Sequence, residues 1–159
     1  MPEIDARTLI ARARDAARHS YSPYSAFPVG AALLCADGTV ITGTNVENRS
    51  FGLANCAERS ALFAAVSQGK REFAAIAVAC PRSDVPVSPC GACRQALSEL
   101  CPPEMPVYFA GKTDSFVETS IGALLPNDSL HDLARLTAAR KGPRAAAGPK
   151  GRREHGEIS

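Results

Sequence analysis

Apolar residues recur along this chain at two spacings, one typical of helices and one typical of β-strands. Between residues 3 and 20 the apolar positions repeat at near-helical spacing, with arginines largely between them, which predicts an amphipathic helix. Residues 56–67 and 90–101 contain two further helical stretches, the first followed by a glycine and the second by two prolines. Residues 21–28 contain two prolines and are predicted to form a loop that bears aromatic side chains.

Strand-like segments alternate with these helices. Two apolar, β-rich runs flank Asp37-Gly38, a dipeptide typical of tight hairpins. A near-continuous apolar run later in the chain is typical of a strand buried on both faces. Alternating strands and helices predict an α/β layer fold, and the early hairpin makes the sheet mixed. The predicted strands are residues 29–35, 39–46, 73–80, 107–110 and 114–117.

The composition, 45% hydrophobic and 21% charged over 159 residues, is typical of a globular protein with one main domain. We predict this domain over residues 1–136 and a basic, disordered tail over residues 137–159, which lack apolar periodicity. The last 20 residues contain six basic and two acidic side chains, and the preceding 139 contain 12 basic and 14 acidic. Because a slightly acidic domain suits a phosphate backbone poorly, we expect no nucleic-acid partner.

The N-terminal residues and the cysteines both favour a cytoplasmic protein. Acidic residues stand where an export signal has basic ones, and no apolar stretch approaches the roughly 18 residues of a membrane span. Six cysteines without an export signal argue against a disulfide framework. We therefore expect no membrane partner, and a Cys-x-x-Cys motif in such a chain is metal-binding or redox-active.

A candidate metal site comes from Cys56 and from a Cys-x-x-Cys motif at Cys90 and Cys93, with the carboxylate of Glu58 nearby. Catalytic zinc sites use three protein ligands and leave a fourth position for water. None of the three histidines lies in a motif-like context. The set therefore predicts a catalytic site with Zn²⁺ as cofactor and Glu58 as the proton carrier.

The predicted helix starts determine how this site is arranged. Free backbone N–H groups at a helix start favour thiolates, and both Cys56 and Cys90 fall there. Residues i and i+2 of an ideal helix point about 200° apart, so Cys56 and Glu58 converge only if Cys56 caps the helix. Three thiolates give bound zinc a net negative charge, and we predict that Arg59 offsets it.

Other interpretations of the cysteines remain open at this point. A single Cys-x-x-Cys motif is also typical of redox sites, and a proline before it and a glycine within it fit both uses. Cys35, Cys80 and Cys101 have no motif around them, and we expect them to be small residues of the core.

Taken together, the motifs resemble those of the small cytidine deaminases. The resemblance rests on Cys-Ala-Glu-Arg at 56–59 and Pro-Cys-Gly-Ala-Cys-Arg-Gln at 89–95, with further matches at 21–33 and 45–48. It implies a three-layer α/β/α sandwich with a mixed five-stranded sheet. It also implies zinc-dependent hydrolytic deamination of cytidine and 2′-deoxycytidine in pyrimidine salvage, by a class for which three cysteine ligands and a non-ligand glutamate are documented.

The resemblance implies a role for each site residue. Zinc-activated water attacks C4 of cytosine, and Glu58 transfers the protons. Phe27 stacks on the pyrimidine, while Asn45 and Glu47, two residues apart at a strand end, bind sugar hydroxyls from one side. The backbone of Ala57 donates to the carbonyl of the base.

The resemblance further implies a homotetramer whose active sites are shared between subunits. Phe51 matches an aromatic residue that crosses between subunits in the family. Ser129 and Leu130 stand where the family often has an aromatic that reaches a neighbouring site, and the sequence departs from the family at this point.

Three other functions are weighed against this one. A deaminase of another aminated ring, such as blasticidin S, is disfavoured by Asn45 and Glu47. A polynucleotide cytosine deaminase is disfavoured by the acidic domain and by a cysteine where such enzymes usually have histidine. A non-catalytic zinc protein leaves Glu58 unexplained.

Overall fold

The computed structural model describes residues 5–128 and 130. The predicted domain boundary at 136 and the predicted tail, residues 137–159, lie outside the described residues. Within them, no helix is long and apolar enough to cross a membrane.

Five strands form one mixed sheet in the order β2-β1-β3-β4-β5. Only β3 and β4 run parallel, and the other neighbouring pairs are antiparallel. Strands β1 and β3 are buried along their whole length, as the apolar run in β3 predicts. The mixed five-stranded sheet is therefore confirmed. The strands are β1 Gly30–Cys35, β2 Val40–Thr44, β3 Phe73–Ala79, β4 Pro106–Ala110 and β5 Phe116–Ser120.

Helices cover both faces of this sheet. The side chains of β1 alternate between faces: Leu33 packs with α2 and α3, and Leu34 packs with α1. The two apolar clusters give the three layers that the resemblance implies. Cys35 and Cys101 belong to the first cluster and Cys80 is also buried, so the core prediction for these cysteines is confirmed. The helices are α1 Ala6–Ala17, α2 Ala57–Ser67, α3 Gly91–Leu100 and α4 Ile121–Leu124.

Two glycines let helix backbones touch the hairpin directly. A Cβ atom on Gly30 would lie 1.9 Å from the carbonyl oxygen of Ala13 in α1. A Cβ atom on Gly43 would lie 2.3 Å from the backbone nitrogen of Ala61 in α2. Both distances are shorter than any side chain tolerates, so α1 and α2 pack on β1 and β2 without an intervening side chain.

The chain departs from the predicted elements in several places, and the second strand, for example, ends at Thr44 and not at residue 46. The fifth strand begins at Phe116 and not at residue 114, because Arg14 of α1 donates to the carbonyls of Gly111 and Thr113 and pairs with Asp114. Those contacts accompany a bend over residues 112–114. Within the loop predicted before α2, residues Phe51–Leu53 form a short 3₁₀ helix that no apolar spacing indicates.

Candidate active site and metal centre

Two helix starts meet at the candidate metal centre. Cys56 is the N-cap of α2, with φ −81° and ψ 156°, and Cys90 is the N-cap of α3, with φ −70° and ψ 167°. Both residues are extended and lie outside the helical dihedrals, which confirms the boundary predicted at Cys56. Cys93 lies in the first turn of α3 and is fully buried. The sulfur-bearing residues therefore lie at the electropositive N-terminal ends of both helices.

The three sulfur atoms have the spacing of a zinc site. The Sγ atoms of Cys56 and Cys90 are 3.7 Å apart, and those of Cys90 and Cys93 are 3.5 Å apart. All three lie within 4.8 Å of one another. Tetrahedral zinc with Zn–S bonds of about 2.3 Å requires sulfur separations of roughly 3.8 Å. The donor set fits zinc, and the third sulfur distinguishes it from a two-cysteine redox motif.

Charge at these sulfurs favours a bound cation. The guanidinium of Arg59 donates to Cys56 Sγ over 3.6 Å. Hydrogen bonding from Cys93, together with Arg59, lowers the pKa of the Cys56 thiol to about 5. The same contact with Cys56, with burial, raises the pKa of Cys93. Because three adjacent sulfurs cannot all hold negative charge unless a cation lies among them, these thiols are suited to a metal.

Glu58 is the buried carboxyl beside the sulfurs. Glu58 is only 4% exposed, and it lies in the first turn of α2, two residues after Cys56. Burial is the largest cause that raises its pKa, and the neighbouring Cys56 raises it further. A carboxyl whose pKa lies above its usual range is suited to general acid–base chemistry near neutral pH.

A cavity of about 470 Å³ opens in front of these residues. Phe27, Asn45, Glu47, Ala57 and Glu58, all predicted from the sequence, line it together with Cys56 and Cys90. Arg59 contacts Cys56 and does not line this cavity. A larger cavity of about 700 Å³ is lined by other residues of the 21–28 loop, including Ser22 and Ala26, and contains none of these residues. The smaller cavity is therefore the candidate active site.

Asn45 and Glu47 line the cavity and also hold the loop that bears Phe27. The Asn45 amide donates to the carbonyl of Phe27 over 2.9 Å and accepts from the backbone nitrogen of Val29 over 2.9 Å. Glu47 accepts from the backbone nitrogens of Tyr24 and Ser25 over 2.8 and 3.3 Å. The two side chains share the cavity, as the strand-end spacing predicts. Their contacts with the loop were not foreseen.

The Phe27 loop has one strained residue. Ala26, next to the ring, has φ +53°, a left-handed conformation that costs a non-glycine residue free energy. The guanidinium of Arg82 donates to the Ala26 carbonyl over 3.2 Å. Phe27 itself stays 39% exposed at the mouth of the cavity. The loop thus presents an aromatic surface at a fixed place.

Sequence reasoning missed several residues that shape the site. Arg94 is the most connected of them: its guanidinium donates to the carbonyls of Pro89 and Leu124 over 2.8 and 3.1 Å and to Ser88 Oγ over 2.8 Å. It braces the segment that enters Cys90. The only available signal was an arginine directly after the second cysteine of the motif. The cavity is also lined by the unpredicted Ser25, Val29, Val78, Val87 and Ser88.

The residues predicted at subunit contacts lie on the surface. Phe51 is 75% exposed and meets the Tyr24 ring edge-on, with ring centroids 5.8 Å apart. Leu130 is also exposed, and Ser129 lies outside the described residues.

With the site described, similarity to known proteins gives its class. The family model for the cytidine and deoxycytidylate deaminase zinc-binding region matches residues 4–109. A cytidine deaminase of Sporosarcina psychrophila is 50% identical over 123 residues, covering 77% of this chain and 90% of that protein. A blasticidin-S deaminase of Bacillus cereus is 36% identical over 106 residues, covering 62% of this chain and 74% of that protein.

Solved structures agree. The crystal structure of cytidine deaminase from Burkholderia pseudomallei superposes with a TM-score of 0.75 and 48% identity, covering 78% of this chain and 98% of that chain. The cytidine deaminase of Mycobacterium tuberculosis superposes with a TM-score of 0.66 and 37% identity, covering 79% and 97% of the two chains. The fold and the site define a zinc-binding hydrolytic deaminase. The chain belongs to the cytidine and deoxycytidylate deaminase family.

Proposed function

We propose that this protein is a cytidine deaminase, which hydrolyses cytidine and 2′-deoxycytidine to uridine and 2′-deoxyuridine with release of ammonia. The observation behind the proposal is the convergence of three metal-spaced sulfurs and the buried Glu58 on one cavity. An aromatic ring, an amide and a second carboxylate line the same cavity. These are the groups needed to hold a base and a sugar.

Cys56, Cys90 and Cys93 would hold zinc. When bound, zinc supplies the Lewis acidity that makes water nucleophilic near neutral pH. The donated hydrogen bond from Arg59 to Cys56 offsets part of the negative charge of the three sulfurs. We infer that Arg59 tunes the acidity of the site through this contact.

Glu58 moves the protons of the reaction. As a water oxygen bonds to C4 of the cytosine ring, the Glu58 carboxylate takes a proton from that water and passes it to N3. The carboxyl then carries the remaining hydroxyl proton to the exocyclic amino group, the C4–N bond breaks, and ammonia leaves. The high pKa that burial gives Glu58 keeps the proton available between these transfers.

The opposite wall orients the substrate. Phe27 presents a ring on which the pyrimidine stacks, and Asn45 and Glu47 face the sugar hydroxyls. Ala57 is the first residue of α2, so its N–H has no acceptor within the helix. That N–H is free to donate to the carbonyl oxygen of the base.

We also infer that the protein forms a homotetramer with shared active sites and acts in the cytoplasm in pyrimidine salvage. Large apolar side chains are exposed on the short 3₁₀ helix and on α2: Phe51 by 75%, Leu53 by 72% and Phe63 by 50%. Such a group of apolar residues is typical of a protein–protein interface. Sedimentation or light scattering of the full chain measures the oligomeric state and tests this inference.

One experiment tests the function. The purified chain is assayed for zinc content and for loss of cytidine absorbance, in parallel with Glu58→Gln. We expect about one zinc per chain in both proteins and turnover only in the wild type. Wild-type protein that binds zinc but is inert on both nucleosides contradicts the proposal. Blasticidin S and a cytosine-containing oligonucleotide, tested in the same assay, distinguish the two alternative deaminases.

A further inference from the structure

Ser25 contacts both of the residues that face the substrate from the loop wall. Its hydroxyl oxygen accepts a hydrogen bond from the backbone nitrogen of Phe27 over 3.1 Å. The same hydroxyl donates to Oε1 of Glu47. A serine hydroxyl has one donor hydrogen and rotates freely unless a neighbour fixes it. The Phe27 N–H occupies one side of the oxygen, which directs the hydrogen towards Glu47.

The carboxylate of Glu47 is therefore largely committed before a substrate arrives. Oε2 accepts from the backbone nitrogens of Tyr24 and Ser25, and Oε1 accepts from the Ser25 hydroxyl. A carboxylate offers about four acceptor positions, so one position on Oε1 remains. The Ser25 hydroxyl thus fixes both the rotation of the carboxylate and the direction of its free acceptor position.

The side chain of Asn45, two residues before Glu47, is likewise hydrogen-bonded at most of its positions. Its Oδ1 accepts from the backbone of Val29 and from the Ser20 hydroxyl, and its Nδ2 donates to the Phe27 carbonyl. One N–H of the amide remains. A single acceptor on Glu47 and a single donor on Asn45 complement one hydroxyl group, which both donates and accepts.

We propose that Ser25 is a positioning residue for substrate selection, and that its hydroxyl fixes the Glu47 carboxylate so that it accepts from a sugar hydroxyl. The proposal rests on the proposed function and extends it to a residue outside the metal site. Ser25 itself needs no contact with the substrate. Its contribution appears in the binding of substrates that have a sugar hydroxyl.

The test compares Ser25→Ala with wild type on cytidine and on 2′,3′-dideoxycytidine, which has neither ring hydroxyl. We expect KM for cytidine to rise about tenfold, with kcat within about twofold, because a positioned hydrogen bond to the bound substrate is lost. KM for the dideoxynucleoside should change less than about twofold. Ser25→Thr, which keeps the hydroxyl, should restore the wild-type preference.

Two controls separate positioning from general damage. Tyr21→Phe removes a hydroxyl from the same loop on a side chain that lines the other cavity and contacts neither Glu47 nor Asn45, and it should leave the preference unchanged. In the Glu47→Gln background, Ser25→Ala should have little further effect on the ratio of kcat/KM for the two nucleosides. Equal losses on both nucleosides, or no loss on cytidine, would overturn the proposal.

A second readout does not require turnover. The Ser25 hydrogen bond is the first cause that lowers the pKa of Glu47, so Ser25→Ala should raise that pKa in a carboxyl NMR titration. Glu58, the other carboxyl lining the cavity, is assigned separately in the same spectra. An unchanged Glu47 titration overturns the positioning role even if wild type proves inactive on cytidine. An active wild type with an unchanged Ser25→Ala variant leaves the proposed function standing and removes this inference alone.

Discussion

The two walls of the active site are built in different ways. The metal wall, formed by Cys56, Glu58, Cys90 and Cys93, comes from the first residues of two helices that pack on the sheet. The loop wall, formed by residues 21–28 with Asn45 and Glu47, has no regular structure and is held by side-chain hydrogen bonds to backbone. The metal wall places reactive groups by helix geometry, whereas the loop wall places binding groups by a hydrogen-bond network. Damage to each wall should therefore affect different kinetic parameters.

The largest expected effect is on the metal wall. Glu58→Gln keeps the shape of the side chain but cannot carry protons, so kcat should fall about 10²–10⁴-fold. Zinc content should stay at the wild-type level because Glu58 is not a ligand. Metal analysis and steady-state kinetics check both points. Loss of zinc together with activity would assign Glu58 to metal binding.

The next effect concerns the brace behind the metal wall. Arg94→Met removes three hydrogen bonds to Ser88, Pro89 and Leu124, at about 1 kcal/mol each. The free energy of unfolding should fall by about 3 kcal/mol in urea titrations, and a chelator should remove zinc faster. Arg94→Lys keeps the charge but not the fork of donors, so its stability and its rate of zinc release should lie between those of wild type and Arg94→Met. Wild-type rates of zinc release would contradict the bracing role.

A smaller and opposite effect is expected in the loop wall. Ala26→Gly relieves the left-handed strain at φ +53°, so the free energy of unfolding should rise by about 1 kcal/mol. Calorimetric melting measures the change. Ala36→Gly is the matched control: it has no such strain to relieve and should lower stability. A loss of stability in Ala26→Gly would show that the freedom gained by the unfolded chain outweighs the strain.

The smallest effect lies far from both walls. Lys70 hydrogen-bonds Asp37 over 2.5 Å and lowers the pKa of that carboxyl to about 2. The contribution to stability is present above pH 4 and is lost as pH falls through about 2. Asp37→Asn should reduce the fall in melting temperature between about pH 4 and pH 2. The difference should be clearer at low salt because the pair is exposed. Turnover near neutral pH should not change.

The two walls also differ in how far the sequence alone predicts them. Cys56, Glu58 and the Cys90–Cys93 pair follow from local rules, because capping, helical spacing and ligand number act over a few residues. The sheet follows from apolar runs and the hairpin dipeptide. Contacts between side chains and distant backbone have no such local signal: Asn45 meets Phe27 across 18 residues, and Arg94 meets Leu124 across 30. Only the resemblance placed Phe27, Asn45 and Glu47 in one site.

The direct contact between Gly43 and α2 bears on both walls. Gly43 stands two residues before Asn45 on the same segment, and Ala61 stands three residues after Glu58 on the same helix. Because no side chain separates the two backbones, the distance between α2 and β2 is set by backbone contact and not by side-chain packing. A Cβ atom added by Gly43→Ala would meet the backbone of Ala57 and Ala61, so α2 and β2 would have to move apart. Side chains that line the cavity can be exchanged without disturbing this contact, so substrate preference can change there while α2 and β2 keep their distance.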